Sequence, residues 1–353
     1  MSPQPEGIRG ATISGTGMYV PERVLTNADL EKMVDTTDSW IVERTGIRER
    51  RIARDDEPSS EMAVIAVRRA LESAKLEPKD IDQIIVVTTT PDRFLPSCAC
   101  TIQKKIGASN AAAYDVFAAC TGFIYGLGLA RSLIGSRVAE TILVIGVEKL
   151  SSIVDYTDRN TCVLFGDGAG AAIVQPAQPG QGILAVSMRS DGELGEVLEI
   201  PAGGSARPMD EAAVRAKDNT IHMRGKELFK IAVRTMEESL REALNEAGVG
   251  MDELKLVIPH QANQRIIDAM RDRLGVPADK VITNIDRYGN TSSASIPISL
   301  DEVVREGRLK PGDHVAFVAF GGGVTWGASV MRWTMPAPLV PVEPATLVSA
   351  RRS

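Results

Sequence analysis

The chain has 353 residues, 44% of them hydrophobic, enough for two cores or one large layered core. Its formal net charge of -6 lacks the basic excess that a nucleic-acid binder usually carries, so no nucleic-acid partner is expected. No apolar run approaches the roughly 20 residues needed to cross a bilayer. Met1 to Gly7 has neither the positive region nor the apolar stretch of a signal peptide, so a cytoplasmic protein with no membrane partner is expected.

Taken in chain order, the first periodic segment is 60–74, where apolar residues recur at helical spacing. Ile84 to Thr89 is short, apolar and β-branched, which predicts a strand covered on both faces. A helix ending at Ile106-Gly107 follows, then a strand over 112–117 that leads to Cys120 and a small-residue helix over 122–134. A further strand is predicted over 141–147. Gly166-Asp167-Gly168-Ala169-Gly170 runs on into Ala-Ala-Ile-Val, which reads as a strand, and no Gly-Lys-Ser/Thr follows. Dinucleotide and P-loop readings are therefore poor, and close backbone packing explains the glycines better. Gln175 to Gln181 is a turn-rich link. Beyond it a helix over 226–247, a strand over 254–258 leading to His260, and a helix ending at Leu274-Gly275 are predicted. A strand over 280–284 before Asn290 and a last strand over 314–320 complete the series. The tail from Met335 has no helical period and reads as loosely attached.

The order of elements repeats. Asp82 and Asp252 lie 170 positions apart at equivalent turns, and so do Cys120 and Asn290. This predicts an α/β fold made of two copies of one unit, residues 8–176 and 181–335, followed by a tail over 336–353. Sites in open α/β sheets form beyond the carboxyl ends of strands. Cys120, His260 and Asn290 all follow predicted strands, so two facing halves can bring a nucleophile, a base or donor, and an amide donor together.

Taken singly, each of Cys98, Cys100, Cys120 and Cys162 reads as a small buried apolar residue. With only three histidines and no C-x-x-C pair, neither a structural metal nor a disulfide framework is expected. Cys120 stands apart because a thiol on a strand-to-helix turn meets the positive end of a helix dipole, which lowers its pKa and favours the thiolate. His260 could be a packing residue and Asn290 a helix cap. His222 and His314 are weaker candidates, one in a polar stretch and one at the start of a strand. Gly321-Gly322-Gly323 leaves backbone N–H groups unshielded, which suits an oxyanion hole or a tight turn.

In combination these segments resemble the β-ketoacyl-acyl-carrier-protein synthase III family, from about Gly10 to Thr334. The motifs are Trp40-Ile41 with Arg44-Thr45-Gly46-Ile47, Ala118-Ala119-Cys120-Thr121-Gly122-Phe123, Phe165-Gly166-Asp167-Gly168-Ala169-Gly170, His260-Gln261-Ala262-Asn263, Gly289-Asn290-Thr291-Ser292-Ser293-Ala294-Ser295 and Phe320-Gly321-Gly322-Gly323. The resemblance implies a thiolase-like fold of five layers, αβαβα, and a homodimer. It implies that Cys120 is acylated by an acyl-CoA, that His260 and Asn290 stabilise the enolate formed from malonyl-acyl-carrier protein, and that the backbone N–H groups of Cys120 and Gly322 form the oxyanion hole. Coenzyme A enters as part of a substrate, with no cofactor. Trp40, Arg44 and Arg159 would hold its adenine end, and Thr36, Phe229 and Asn263 its pantetheine. Gln261 and Arg265 would meet the carrier protein, with Arg271 and Arg273 on the same helix as further candidates, and Leu95 would border the acyl pocket. The competing readings are a secondary-metabolite ketosynthase with the same Cys, His and Asn, a papain-type hydrolase, and a catalytically dead homologue.

Overall fold

The computed structural model describes residues 9–336. The first sheet is built from β1 (Gly10–Tyr19), β2 (Gln83–Val87), β3 (Ala112–Val116), β4 (Ile142–Glu148) and β5 (Gly168–Ala177), in the order β1-β5-β4-β2-β3. β2 runs parallel to β3 and β4, and β5 runs antiparallel to β4 and β1. The second sheet holds β6 (Gly182–Ser190), β7 (Leu254–Pro259), β8 (His314–Gly321) and β9 (Thr325–Arg332), in the order β7-β8-β9-β6. Its one parallel pair is β7 with β8. Read from the other side, β6-β9-β8-β7 repeats β1-β5-β4-β2.

The fifth strand has no full counterpart. The segment predicted as a strand over 280–284 contributes a single parallel bridge, Val281 to Val257. A one-turn helix begins at Ile285, and the Gln261 side chain takes the place of a neighbouring strand. Its Nε2 donates to the Ile282 carbonyl at 3.1 Å and its Oε1 accepts from Asn284 N–H at 3.0 Å.

The longer helices are α1 (Asp38–Thr45), α2 (Ser59–Ala74), α3 (Cys98–Ile106), α4 (Gly122–Gly135), α5 (Gly225–Ala247), α6 (Gln264–Leu274) and α7 (Ser295–Arg305). α2 and α3 cover the outer face of the first sheet, α5 and α6 cover the second, and α4 and α7 lie between the sheets. The result is a five-layer αβαβα molecule. α4 is apolar nearly all round, as a helix sandwiched between two sheets must be.

The glycines of the 166–170 segment let the second half lie directly on the first. A Cβ on Gly170 would stand 2.7 Å from Pro297 Cβ in α7, and one on Gly166 would stand 2.3 Å from the Tyr288 carbonyl. Asp167 is fully buried and serves as a staple. Its carboxylate accepts from Ala53 N at 2.8 Å, Ser151 N at 2.9 Å and Ser151 Oγ at 2.6 Å.

Candidate active site

Cys120 owes its position to two tight steps in the backbone. After β3 the chain passes through Ala119 in the left-handed region, φ 44°, and α4 then begins at Gly122. A Cβ on Gly122 would lie 1.7 Å from Val87 Cγ1, so no larger residue can start the helix this close to β2. Cys120 is left only 8% exposed. The lowered thiol pKa expected from the helix dipole is not what this setting produces. Burial pushes the thiol up to about 12, opposed by a hydrogen bond shared with the Ser292 side chain and reinforced by the Glu148 carboxylate. With its thiol removed from water, Cys120 rests as a thiol.

His260 follows β7 and is 1% exposed. Its N–H donates to the Val318 carbonyl at 2.8 Å, which fixes it to β8. Its Nδ1 lies 2.7 Å from Ser295 Oγ, at the start of α7. That hydroxyl oxygen also accepts from Gln261 N–H at 3.4 Å, so its own proton is directed to Nδ1. We therefore assign the ring proton to Nε2. Burial holds the imidazole pKa down at about 3, so the ring is neutral at physiological pH. A neutral Nε2–H ring is a hydrogen-bond donor.

Asn290 is held as if in a sheet. Its N–H donates to Leu164 O at 2.8 Å and its carbonyl accepts from Gly166 N at 3.0 Å. Its Oδ1 accepts from Ser292 N–H at 2.8 Å, so the carboxamide NH2 is the end left for a ligand. The N-cap of the turn Ser292–Ala294 is Thr291, not Asn290; the Asn290 oxygen braces the N–H of Ser292 and its nitrogen stays available.

Cys120, His260 and Asn290 line one cavity of about 670 Å³, within the range of small-molecule sites. Phe320 and Gly321 complete its buried end, and Gly321 packs so closely on Cys120 that a Cβ there would lie 2.8 Å from Cys120 N. Gly322 lies beside Leu198 and is not among the lining residues. Toward the open end the cavity is lined by Trp40, Arg44, Phe229, Asn263 and Arg265. Arg44 and Arg159 stand 4.8 and 5.1 Å from the centre of the Trp40 ring, and Arg265 stands 5.7 Å from that of Phe229. Asn263 also caps α6 and donates from Nδ2 to Arg44 O at 3.1 Å.

Several residues expected at the site lie elsewhere. Gln261 is 1% exposed, and its amide is consumed by Pro259, Ile282 and Asn284, so it has no surface for a carrier protein. Leu95 is 86% exposed and lines no part of this chain's cavity, because the 94–95 loop carries both apolar side chains outward. Thr36 lies outside the lining, and its Oγ1 is buried without a hydrogen-bond partner. Arg159 reaches the site only through Trp40, its guanidinium donating to Asp35 O at 2.7 Å. Arg271 is paired with Asp268 and Asp272, and Arg273 with Glu237, so neither is a free cation.

Sequence reasoning passed over Lys226 and Lys230, which line the cavity four residues apart on α5. The spacing i, i+4 on either side of Phe229 was the available signal. Together with Arg44 and Arg265 they place four exposed cations at the open end, none of them ion-paired to a carboxylate among the described residues.

A buried thiol, a neutral imidazole and a carboxamide, set between two copies of one α/β unit, define a thiolase-like acyltransferase. Residues 114–192 match the family model described as 3-oxoacyl-[acyl-carrier-protein (ACP)] synthase III, and residues 244–333 match its C-terminal model. The chain is 52% identical to the beta-ketoacyl-[acyl-carrier-protein] synthase III of Desulfitobacterium hafniense, over 91% of this chain and 97% of the relative. It is also 52% identical to that of Geobacillus kaustophilus, over 92% and 99%. The crystal structure of the Aquifex aeolicus synthase III superposes with a TM-score of 0.85 at 50% identity, covering 92% of this chain and all of that one. The priming β-ketosynthase of the R1128 polyketide pathway gives 0.88 at 36% identity, covering 95% of this chain. The chain belongs to the β-ketoacyl-[acyl-carrier-protein] synthase III family and is a condensing acyltransferase.

Proposed function

We propose that Cys120 takes an acyl group from an acyl-CoA and that the acyl-enzyme condenses with malonyl-acyl-carrier protein, the initiating condensation of fatty-acid synthesis in the cytoplasm. The observation that carries this reading is the cavity: Cys120, His260 and Asn290 share its buried end, and exposed Arg44, Lys226, Lys230 and Arg265 ring its opening. Several synthase III relatives reach 50–52% identity over most of the chain, against 36% for the polyketide priming enzyme, which favours fatty-acid synthesis over secondary metabolism.

In the first step the Cys120 sulfur bonds to the thioester carbon, the carbon–sulfur bond to coenzyme A breaks, and the thiol proton leaves with the coenzyme A sulfur. Backbone N–H groups of Cys120 and, as the family resemblance implies, Gly322 would hold the tetrahedral oxyanion, although it is the neighbouring Gly321 that lines the cavity and packs against Cys120. In the second step the malonyl carbon–carboxylate bond breaks and carbon dioxide leaves. The electron pair spreads onto the thioester oxygen, where His260 Nε2–H and Asn290 Nδ2–H donate to it. It returns to form the new carbon–carbon bond as Cys120 is released to be reprotonated. Two neutral, fixed donors stabilise developing negative charge at little reorganisation cost. The Cys120 thiolate takes up one proton from solvent for each carbon dioxide released, and the other bonds made and broken lie within the thiol, thioesters and carboxylate, with no cofactor.

Trp40, Arg44 and Arg159 offer a stacking and cationic surface for the adenine and phosphates. Phe229 and Asn263 would follow the pantetheine, and Arg265, Lys226 and Lys230 would meet acidic groups of the carrier protein. Two chains are proposed to pair along β3, whose outer edge is unpaired in the described chain. Phe94, Leu95 and Phe117 stand nearby at 91%, 86% and 79% exposure. Pairing would cover these side chains and would let Leu95 border the acyl pocket of the partner.

Product analysis tests the reading. With acyl-CoA and malonyl-carrier protein the enzyme should release carbon dioxide and 3-oxoacyl-carrier protein in equal amounts. Free fatty acid or peptide hydrolysis in place of that product would overturn it.

A further inference from the structure

Glu148, at the carboxyl end of β4, is fully buried, and none of the steps above uses it. No cation pairs with it among the described residues; its carboxylate is held by neutral donors alone. Oε2 accepts from Thr89 N at 3.1 Å, Thr89 Oγ1 at 2.9 Å and Thr90 Oγ1 at 2.8 Å, all beyond the end of β2. Oε1 accepts from Ser292 Oγ at 3.2 Å and Ser293 Oγ at 2.9 Å, in the turn after Asn290. One oxygen therefore faces the first half of the molecule and the other faces the second.

Ser292 is where this matters. It is held at φ 48°, in the left-handed region that a serine seldom adopts without support from its surroundings. In that conformation its N–H is the group that fixes Asn290 Oδ1, and its side chain is the hydrogen-bond partner of the Cys120 thiol. A single buried carboxylate thus braces the residue that aims both the amide donor and the nucleophile.

We infer that Glu148 is a positioning residue for both half-reactions, acting through Ser292 on the Asn290 carboxamide and the Cys120 thiol. This rests on the roles proposed above for Cys120 and Asn290. The bland alternative is a carboxylate that merely joins the two halves. In that case its loss would lower folding stability and ligand binding together, and the two half-reactions would fall only as far as the folded fraction does.

The test is E148Q, compared with wild type in four readouts: melting temperature, coenzyme A affinity, Cys120 acylation rate, and carbon dioxide release from malonyl-carrier protein. The donors to Oε2 include a backbone N–H that cannot reverse. The glutamine NH2 must therefore turn toward Ser292 and Ser293 and displace their hydroxyl protons. Coenzyme A affinity should stay within about twofold, while both half-reactions fall at least about tenfold in the folded enzyme, the scale of a small misplacement of reacting groups. Wild-type rates in folded E148Q, or losses that follow the folded fraction, would overturn the inference. S292G supplies a second variant should E148Q fail to fold. Glycine accepts φ 48° but loses the hydroxyl through which Glu148 braces this position, so both half-reactions should slow, acylation the more because the thiol also loses its partner. An unchanged acylation rate in S292G would equally overturn the coupling. Wild-type enzyme that neither acylates nor decarboxylates would sink the proposed function itself, a different outcome from an active wild type with an indifferent Glu148.

Discussion

The two halves share four strands in one order, yet their strand ends carry different work. In the first half a complete fifth strand, β3, leads to Cys120 and leaves an open outer edge. In the second half the equivalent segment is reduced to one bridge, and the Gln261 amide closes the edge instead. Beyond β2 lie threonines that hold Glu148; beyond its counterpart β7 lies His260. Duplication supplied two sets of strand ends facing each other, and divergence made one set nucleophilic and extensible and the other electrophilic and closed.

The sharpest way to break this division of labour is to remove one half's contribution at a time. N290A or H260A should cut decarboxylation about 10²- to 10³-fold, the usual cost of losing one donor to a developing oxyanion, while N290A still acylates Cys120. If N290A also abolished acylation, the halves would not divide the chemistry as described. Stopped assays of carbon dioxide release beside acylation rates decide it.

Next in size is the closed edge. Q261A strips the partners from Ile282 O and Asn284 N in a buried setting, which should destabilise the fold by about 1–3 kcal/mol in urea unfolding. Affinity for the carrier protein should stay unchanged once the folded fraction is allowed for, because Gln261 has no exposed surface.

The rim should respond more mildly. R265E should raise KM for carrier-bound substrate several-fold, the effect of reversing one steering charge, and the rise should shrink at high salt. R273E, which removes a cation already paired with Glu237, should raise it less.

The smallest effect concerns pH. His260 titrates at about 3 in the folded protein against 6.5 for an ordinary histidine. Between those values the unfolded chain binds a proton that the native state refuses. The contribution of His260 to stability is therefore whole above 6.5 and is lost as pH falls toward 3. Decarboxylation by preformed enzyme should accordingly show no inflection from His260 between pH 5.5 and 8. A limb with an apparent pKa near 6.5 in kcat for carbon dioxide release would show that the ring is less buried than it is here.

The arrangement of strands and helices was legible because each element has its own apolar period and each half repeats it. Cys120 and His260 were legible because both sit just past strand ends, and Asn290 because it lies at the point of the repeat equivalent to Cys120, although the strand expected before it is reduced to one bridge. What sequence could not show were directions of side chains. Gln261 follows His260 directly, yet it turns inward to stand in for a strand. A segment over 280–284 with strand-like composition makes one bridge and stops, because Pro259 at the end of the neighbouring strand has no N–H to offer and the Gln261 amide meets Ile282 O and Asn284 N instead. Leu95 sits in a loop whose orientation depends on backbone torsions that no periodicity encodes. Glu148 reads in sequence as a polar end to an apolar strand, and only the fold brings Ser292 and Ser293 to it from 144 and 145 residues away.

The central claim is that Cys120, resting as a buried thiol, is the acyl acceptor. Intact-protein mass spectrometry after incubation with a series of acyl-CoA thioesters measures this directly. A single acyl adduct should appear on Cys120, be absent from C120A, and discharge when malonyl-carrier protein is added. No adduct with any primer, or an adduct that persists in C120A, would contradict it.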